Sequence, residues 1–331
     1  MSASKAGSNA THHTPEVCMV YFDPGWLVHH RNIAANYADM KSMGGDSIFT
    51  QFVENGDLRW LKLRTRMAHE AGLKVYASPG RVGGLFAAGP IPGSMFATKH
   101  ADSRMIDRNG QPIMGTGGLM CCPNNPKFQA WFYPFLQNMM LETGADGVAF
   151  DEPKGPDMAC WCDHCKALVD KPDAQSLLAL RESTMADMMG KVCTQMRQHK
   201  SDFVTVAMLM PSASNRFLKL VTEQKNLDYI GVDGPLCHQG PTPTADLIKT
   251  PLWVSAPHFA AAAHAAGKKS FALTETFDVN PWACGELASR IHDLPAMNID
   301  MYSFNYYGHD CEDGDLVMES VRKAVALVKG K

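Results

Sequence analysis

The sequence predicts an α/β protein built as one (β/α)8 barrel, and three observations carry that expectation. Eight short apolar segments alternate with helix-length segments from residue 17 to the end. Most of the eight finish on a charged or polar residue, as strands do where a barrel opens to solvent. A chain of 331 residues fits this architecture as one domain.

The strands read, in order, VCMVYFDP (17–24), SIFTQFVENG (47–56), LKVYASPGR (73–81), GVAFDEP (147–153), FVTVAMLMP (203–211), DYIGVDGP (228–235), KSFALTETF (269–277) and DMYSFNYYG (300–308). Helical patterns lie between them. One starts at Leu58 and ends on Gly72, and another runs from Pro126 to Gly144. A glycine suits the left-handed residue that ends a helix, and Pro126 suits a first turn, where an N–H would have no partner. A third runs from Ala174 to His199. A doubly wound open sheet fits less well. GRVGG after the third strand is too loose for a dinucleotide fingerprint, and no phosphate-binding P-loop occurs. No organic cofactor is therefore expected.

Residues 1–15 are polar, lack the apolar middle of a signal peptide and read as a disordered tail. Residues 16–331 are then the barrel. Within it, 82–125 is a long Gly- and Pro-bearing insertion after the third strand, on the face where substrates bind, and reads as a lid or cleft wall.

A net charge of −3, with no basic stretch interleaved with aromatics, argues against nucleic-acid binding. No apolar run is long enough to span a membrane. Ten cysteines without an export signal point to reduced thiols and a cytoplasmic location. The sequence leaves open whether the chain forms a homo-oligomer.

The strand ends share one mouth in a barrel, so they are the place to look for chemistry. They supply Asp23, then Gln51 and Glu54, then Arg81, then Asp151 with Glu152. The fifth strand offers little. Asp233 ends the sixth, Glu275 and Asp278 the seventh, and Asn305, Tyr306, Tyr307 and His309 the eighth. A carboxylate after a strand can simply cap a helix. Glu152 and Glu275 instead continue apolar strands. Carboxylates ringed by aromatics are what glycoside cleavage needs: an acid for the leaving oxygen, a second carboxylate as nucleophile or base, and flat faces for the sugar. Trp282, in a loop after the seventh strand, is one such aromatic.

Asp151-Glu152-Pro153 resembles the Asn-Glu-Pro signature of the clan of retaining barrel glycosidases, and ALTETF resembles that clan's seventh-strand ending. The resemblance implies Glu152 as acid/base and Glu275 as nucleophile; Asp151 stands where the clan has asparagine. CCPNNP (121–126), FDEP and CWCDHC (160–165), in that order, also resemble a group of glycosidase-like barrels, many without an assigned substrate. Other barrels with an Asp nucleophile on strand four and an acid on strand six keep a rival pair open, Asp151 with Asp233.

Cys160, Cys162 and Cys165 offer three thiolates within six residues, so one more soft ligand would complete a tetrahedral zinc site. Cys122 or Cys121 can supply it; His164 is a weaker candidate. Four thiolates would leave no open position, which makes the expected zinc structural.

The expectation is thus a hydrolase of carbohydrate metabolism, a retaining glycosidase acting on a small glycoside or oligosaccharide. Glu152, Glu275, Asp151 and Asp233 are its candidate catalytic groups. Asp23, Glu54, Arg81, Trp282, Asn305 and Tyr306 are its candidate sugar-binding groups. The alternatives are a barrel hydrolase or lyase acting on a sugar acid or other carbonyl substrate, and a carbohydrate-binding barrel without turnover.

Overall fold

The computed structural model describes residues 14–22, 29–54, 56–87, 93–115, 117–155, 157–239, 242, 249–305 and 311–331. Eight parallel strands close into a barrel: β1 (Glu16–Val20), β2 (Ser47–Gln51), β3 (Lys74–Ser78), β4 (Gly147–Asp151), β5 (Val204–Leu209), β6 (Tyr229–Pro235), β7 (Lys269–Glu275) and β8 (Met301–Phe304). Neighbours in sequence are neighbours in the sheet, and β8 pairs with β1. The expected barrel is the fold of this chain.

Helices α1 (His30–Ser42), α2 (Leu58–Glu70), α3 (Pro126–Thr143), α4 (Ala174–His199), α5 (Asn215–Thr222), α6 (Leu252–Ala265), α7 (Cys284–Arg290) and α8 (Gly314–Val328) each follow one strand. Their ends follow the sequence signals. Asn125 caps α3 by accepting from the Phe128 N–H, with Pro126 in the first turn, and Gly144 ends it at φ +76°. Asp173 caps α4 through the Ser176 N–H. No helix of the described residues is long and apolar enough to cross a membrane.

Strand alternation divides the core into two layers. Cys18, Val20, Phe49, Tyr76, Ala149 and Phe271 fill the barrel interior. The other face of each strand, such as Val17, Met19, Ile48 and Val75, packs on the helices. Below, Glu16 accepts from Ser47 Oγ and Tyr76 Oη at 2.8 and 2.6 Å and ties three strands together. The β6–β7 ladder runs over seven pairs from Tyr229 opposite Lys269 to Pro235 opposite Glu275. That register brings Asp233 and Glu275 to the same end. Gly231 permits it: a Cβ there would lie 1.7 Å from the Phe271 carbonyl oxygen.

The insertion after β3 contains a short helix (Met95–Lys99) and a two-residue-per-strand ribbon, Met114–Gly115 with Gly118–Leu119. Glu54 anchors it, accepting from the Gly83 N–H, Ser94 Oγ and the Phe96 N–H at 2.6–2.8 Å.

Candidate active site

Inward-facing residues at or just beyond the strand ends line a cavity of about 170 Å3 at the C-terminal mouth of the barrel, although Gln51 of β2 is not among them. Ser78, Asp151, Asp233, Glu275 and Asn305 line it, with the aromatic faces of Phe22, Phe49 and Phe277. In-register alternation explains most of this set. Ala149 points inward, so Asp151 does; Leu273 points inward, so Glu275 does.

Glu152 breaks the rule. Alternation alone would send its side chain to the helix side, yet it lines the cavity. Its φ of +38° re-aims it. A left-handed conformation at a non-glycine residue costs on the order of 1–3 kcal/mol and persists only where the surroundings enforce it. The enforcing contacts are the Glu152 N–H to the Met208 carbonyl (3.0 Å) and the Lys154 N–H to the Leu85 carbonyl (2.6 Å). Arg81 and Asp278, after β3 and β7, are also left-handed, at +56° and +51°.

At the centre lies a residue that sequence reasoning missed. Lys249 Nζ donates to Glu152 Oε1 at 2.6 Å, to Glu275 Oε1 at 2.5 Å, and to Asp233 Oδ2. Two oxygens bonded to one nitrogen at those distances lie at most about 5 Å apart, so Glu152 and Glu275 face each other across a single atom. Lys154 Nζ holds the other oxygen of Glu152. Lys249 comes from the loop before α6 and carries no local motif. The one signal available was the electrostatic deficit itself: clustered buried carboxylates require a cation.

The charges divide unequally. Burial raises Asp233 well above the ordinary carboxylate range, and the charge of Glu152 raises it further. Burial, then the Glu152 charge, pushes Asp151 up to about 7. Burial would raise Glu152 too, but the hydrogen bond from Asp233 and the charges of Lys249 and Lys154 pull it down to about 2. Burial works against the Lys249 ammonium, and the three carboxylates overcome it and raise its pKa. Among the described residues, Ser78 Oγ, Asp233 Oδ1 and Asn305 Oδ1 line the cavity as buried polar atoms with no hydrogen-bond partner. Such groups are costly unless something polar meets them.

Of the remaining candidates, Glu54 spends its carboxylate on the insertion and does not line the cavity. Arg81 also stays outside the lining and packs against Gly117, where a Cβ would lie 2.5 Å from Arg81 Nη1. Trp282 is 38% exposed, 6.4 Å from the His238 ring and away from the lining. Asp23, Tyr306, Tyr307 and His309 lie outside the described residues. Ala87 is where the insertion meets the cavity, its N–H donating to the Asp151 carbonyl at 2.8 Å.

No family model and no curated protein sequence matches the chain. Solved structures do. A β-galactosidase from the Antarctic haloarchaeon Halorubrum lacusprofundi superposes with a TM-score of 0.71 at 12% identity, over 95% of this chain and 58% of that one. The catalytic domain of a β-amylase from Paenibacillus polymyxa gives 0.61 at 10% identity, over 94% and 98%. The GH36 α-galactosidase AgaA of Geobacillus stearothermophilus, in complex with raffinose, gives 0.57 at 11%, over 96% and 42%. All three are glycoside hydrolases. At these identities the likeness establishes the fold, and the chain spans little more than half of the β-galactosidase.

A second constellation lies behind the site. The sulfur atoms of Cys122, Cys160, Cys162 and Cys165 all fall within 4.8 Å of one another, and three of the four residues are buried. Cys122 Sγ is 3.4 Å from Cys165 Sγ and 3.5 Å from Cys162 Sγ. Tetrahedral thiolates at about 2.3 Å from a zinc ion are roughly 3.8 Å apart, so the set fits such an ion. Asn124 Nδ2 donates to Cys165 Sγ at 3.4 Å. Cys122 is the fourth member; Cys121 turns away to Ser103 Oγ at 3.7 Å, and His164 is exposed.

Proposed function

We propose that the chain is a retaining glycoside hydrolase acting on a small glycoside, with Glu275 as nucleophile and Glu152 as acid/base. The observation that carries this reading is the convergence of Glu152, Asp233 and Glu275 on one point inside a cavity lined with unsatisfied polar atoms. In a retaining site the two carboxyl groups stand about 5–5.5 Å apart with the anomeric carbon between them. The facing oxygens of Glu152 and Glu275, at most about 5 Å apart, are nearer to that separation than to the wider gap of an inverting site, which supports this reading, with the reacting centre where Lys249 Nζ now lies.

Glu152 is ionised while Lys249 holds it, whereas an acid must carry a proton. The sugar resolves this by displacing the ammonium. Glu152 then loses one counter-charge that holds its pKa down and takes up a proton, by way of Asp233, whose burial favours the protonated form. Glu275 attacks the anomeric carbon as the bond to the leaving oxygen breaks, and the alcohol departs with the proton from Glu152. In the second half Glu152 takes a proton from water, whose oxygen displaces Glu275 and frees the sugar. The rival pair, Asp151 nucleophile with Asp233 acid, is less favoured because a carboxyl raised to about 7 is about half protonated at pH 7 and more so below it, which weakens it as a nucleophile, whereas Glu275 is the residue that faces Glu152.

The four cysteines would hold one zinc ion, which supplies a closed, structural coordination and no position for a catalytic water. Hydrolysis of a panel of nitrophenyl α- and β-glycosides tests the proposal. Release from at least one, abolished by Glu275→Gln, is expected. A folded protein that binds sugars calorimetrically and turns over none would instead be a binding barrel.

A further inference from the structure

Arg181, on α4, is the largest fully buried side chain of the described residues, at 1% exposure. A guanidinium stays charged, so its burial calls for a counter-charge. No carboxylate of the described residues pairs with it within ion-pair distance; its Nε and Nη2 instead donate to the backbone carbonyls of Gly155 and Lys154 at 3.0 and 2.9 Å. Its Nη1 has no hydrogen-bond partner among the described residues. One turn along the same face of α4, Thr184 Oγ1 donates to Asn124 Oδ1 at 3.0 Å, and Asn124 Nδ2 donates to Cys165 Sγ at 3.4 Å, so this stretch of the helix packs on the cysteine site. Burial works against the guanidinium charge, and Cys122, Cys160 and Cys165 are the first groups that favour it.

We propose that Arg181 is the counter-ion of the four-cysteine site and the positioning residue through which that site fixes the turn carrying Glu152. This rests on the cysteines binding a divalent metal, but on no identified substrate. Four thiolates around a divalent cation carry a net charge of −2, which is the charge a lone buried guanidinium lacks. One side chain thereby serves both sites. On its far side Arg181 grips two successive carbonyls of the turn in which Lys154 reaches Glu152. Gly155 makes the approach possible: it is left-handed (φ +76°), and a Cβ there would meet Met120 Cε at 2.8 Å and Arg181 Nη2 at 3.1 Å. With the metal in place the guanidinium is neutralised and held. Without it, Arg181 is a buried charge with no counter-ion, and its hold on the turn weakens.

The test uses the full chain loaded with zinc, and the variants Arg181→Met and Arg181→Lys. Zinc affinity is read by competition with a chromophoric chelator, and backbone exchange over residues 152–157 by hydrogen–deuterium mass spectrometry with and without zinc. Arg181→Met is expected to lose at least tenfold in zinc affinity, and zinc is expected to stop protecting 152–157. Arg181→Lys, which keeps the charge but not the two-carbonyl grip, is expected to hold zinc within about threefold of wild type while exchange at 152–157 rises. A folded Arg181→Met chain with wild-type zinc affinity would overturn the proposal. So would Arg181→Lys losing tenfold or more, which decides the matter if the methionine variant does not fold. Neither readout requires turnover, so failure of the glycosidase reading would leave this result standing.

Discussion

Lys249 Nζ lies 2.5 Å from Glu275 Oε1, inside the cavity where the proposed reaction takes place. In the proposed reaction the ammonium stands where positive charge would develop on the sugar. The site at rest is thus charge-balanced by its own side chain, and a substrate must take over that role.

Removing the lysine should therefore expose the cost of the carboxylates. Lys249→Met is expected to destabilise the fold at neutral pH by about 3 kcal/mol, the low end for breaking a buried pair because Lys249 keeps some exposure. In wild type the raised Lys249 pKa contributes stability that is complete below the ordinary lysine range and lost above it. In the variant the orphaned carboxyls bind protons more readily folded than unfolded, so the deficit should shrink as pH falls from 8 to 5. Melting temperature against pH checks both signs.

Asp151 gives a second pH signature. Its folded pKa of about 7 lies above the unfolded value, so the native state binds more protons between roughly pH 4 and 7, and this group's effect on stability grows more unfavourable as pH rises through that window. Asp151→Asn should flatten the slope and be more stable than wild type at pH 8 by about 1–3 kcal/mol. Urea denaturation at pH 5 and pH 8 reads the difference.

The two glutamates should separate by leaving group. Glu152→Gln is expected to lose about 10²–10⁴-fold on alkyl glycosides and far less on dinitrophenyl glycosides, which depart without a proton. Glu275→Gln should be inactive on both. Initial rates on paired substrates give the comparison.

The metal should matter to the fold. Protein purified without a histidine tag is expected to carry one zinc per chain, and removing it with a strong chelator should lower the melting temperature by several degrees. Less than about 0.2 zinc per chain, with the four thiols freely reactive in the native state, would contradict the site.

How much of this was legible in the sequence depended on whether the signal was local. The barrel was, because each strand and helix carries its own periodicity and caps. Asp233 and Glu275 were, because strand ends in a barrel converge by topology. Glu152 was found by its motif, while its φ of +38° was hidden, since alternation would point it the other way. Glu54 resembled the others in sequence, but the backbone that claims it belongs to the insertion. Lys249 was invisible because only the three-dimensional crowding of carboxylates calls for it. Arg181 was half visible: it falls four residues after Leu177 and four before Met185, on the buried stripe of α4, where an arginine is out of place.

The most direct test of the central claim is covalent trapping. The zinc-loaded protein is incubated with dinitrophenyl 2-deoxy-2-fluoro-glycosides of several sugars, then weighed intact and mapped by peptide mass spectrometry. The fluorine slows both steps and the good leaving group restores the first, so a glycosyl-enzyme accumulates. The account predicts a gain of one fluorosugar per chain, esterified to Glu275. A label on Asp151 or Asp233, or an unlabelled protein that releases sugar with inverted configuration from the unfluorinated parent, would contradict it.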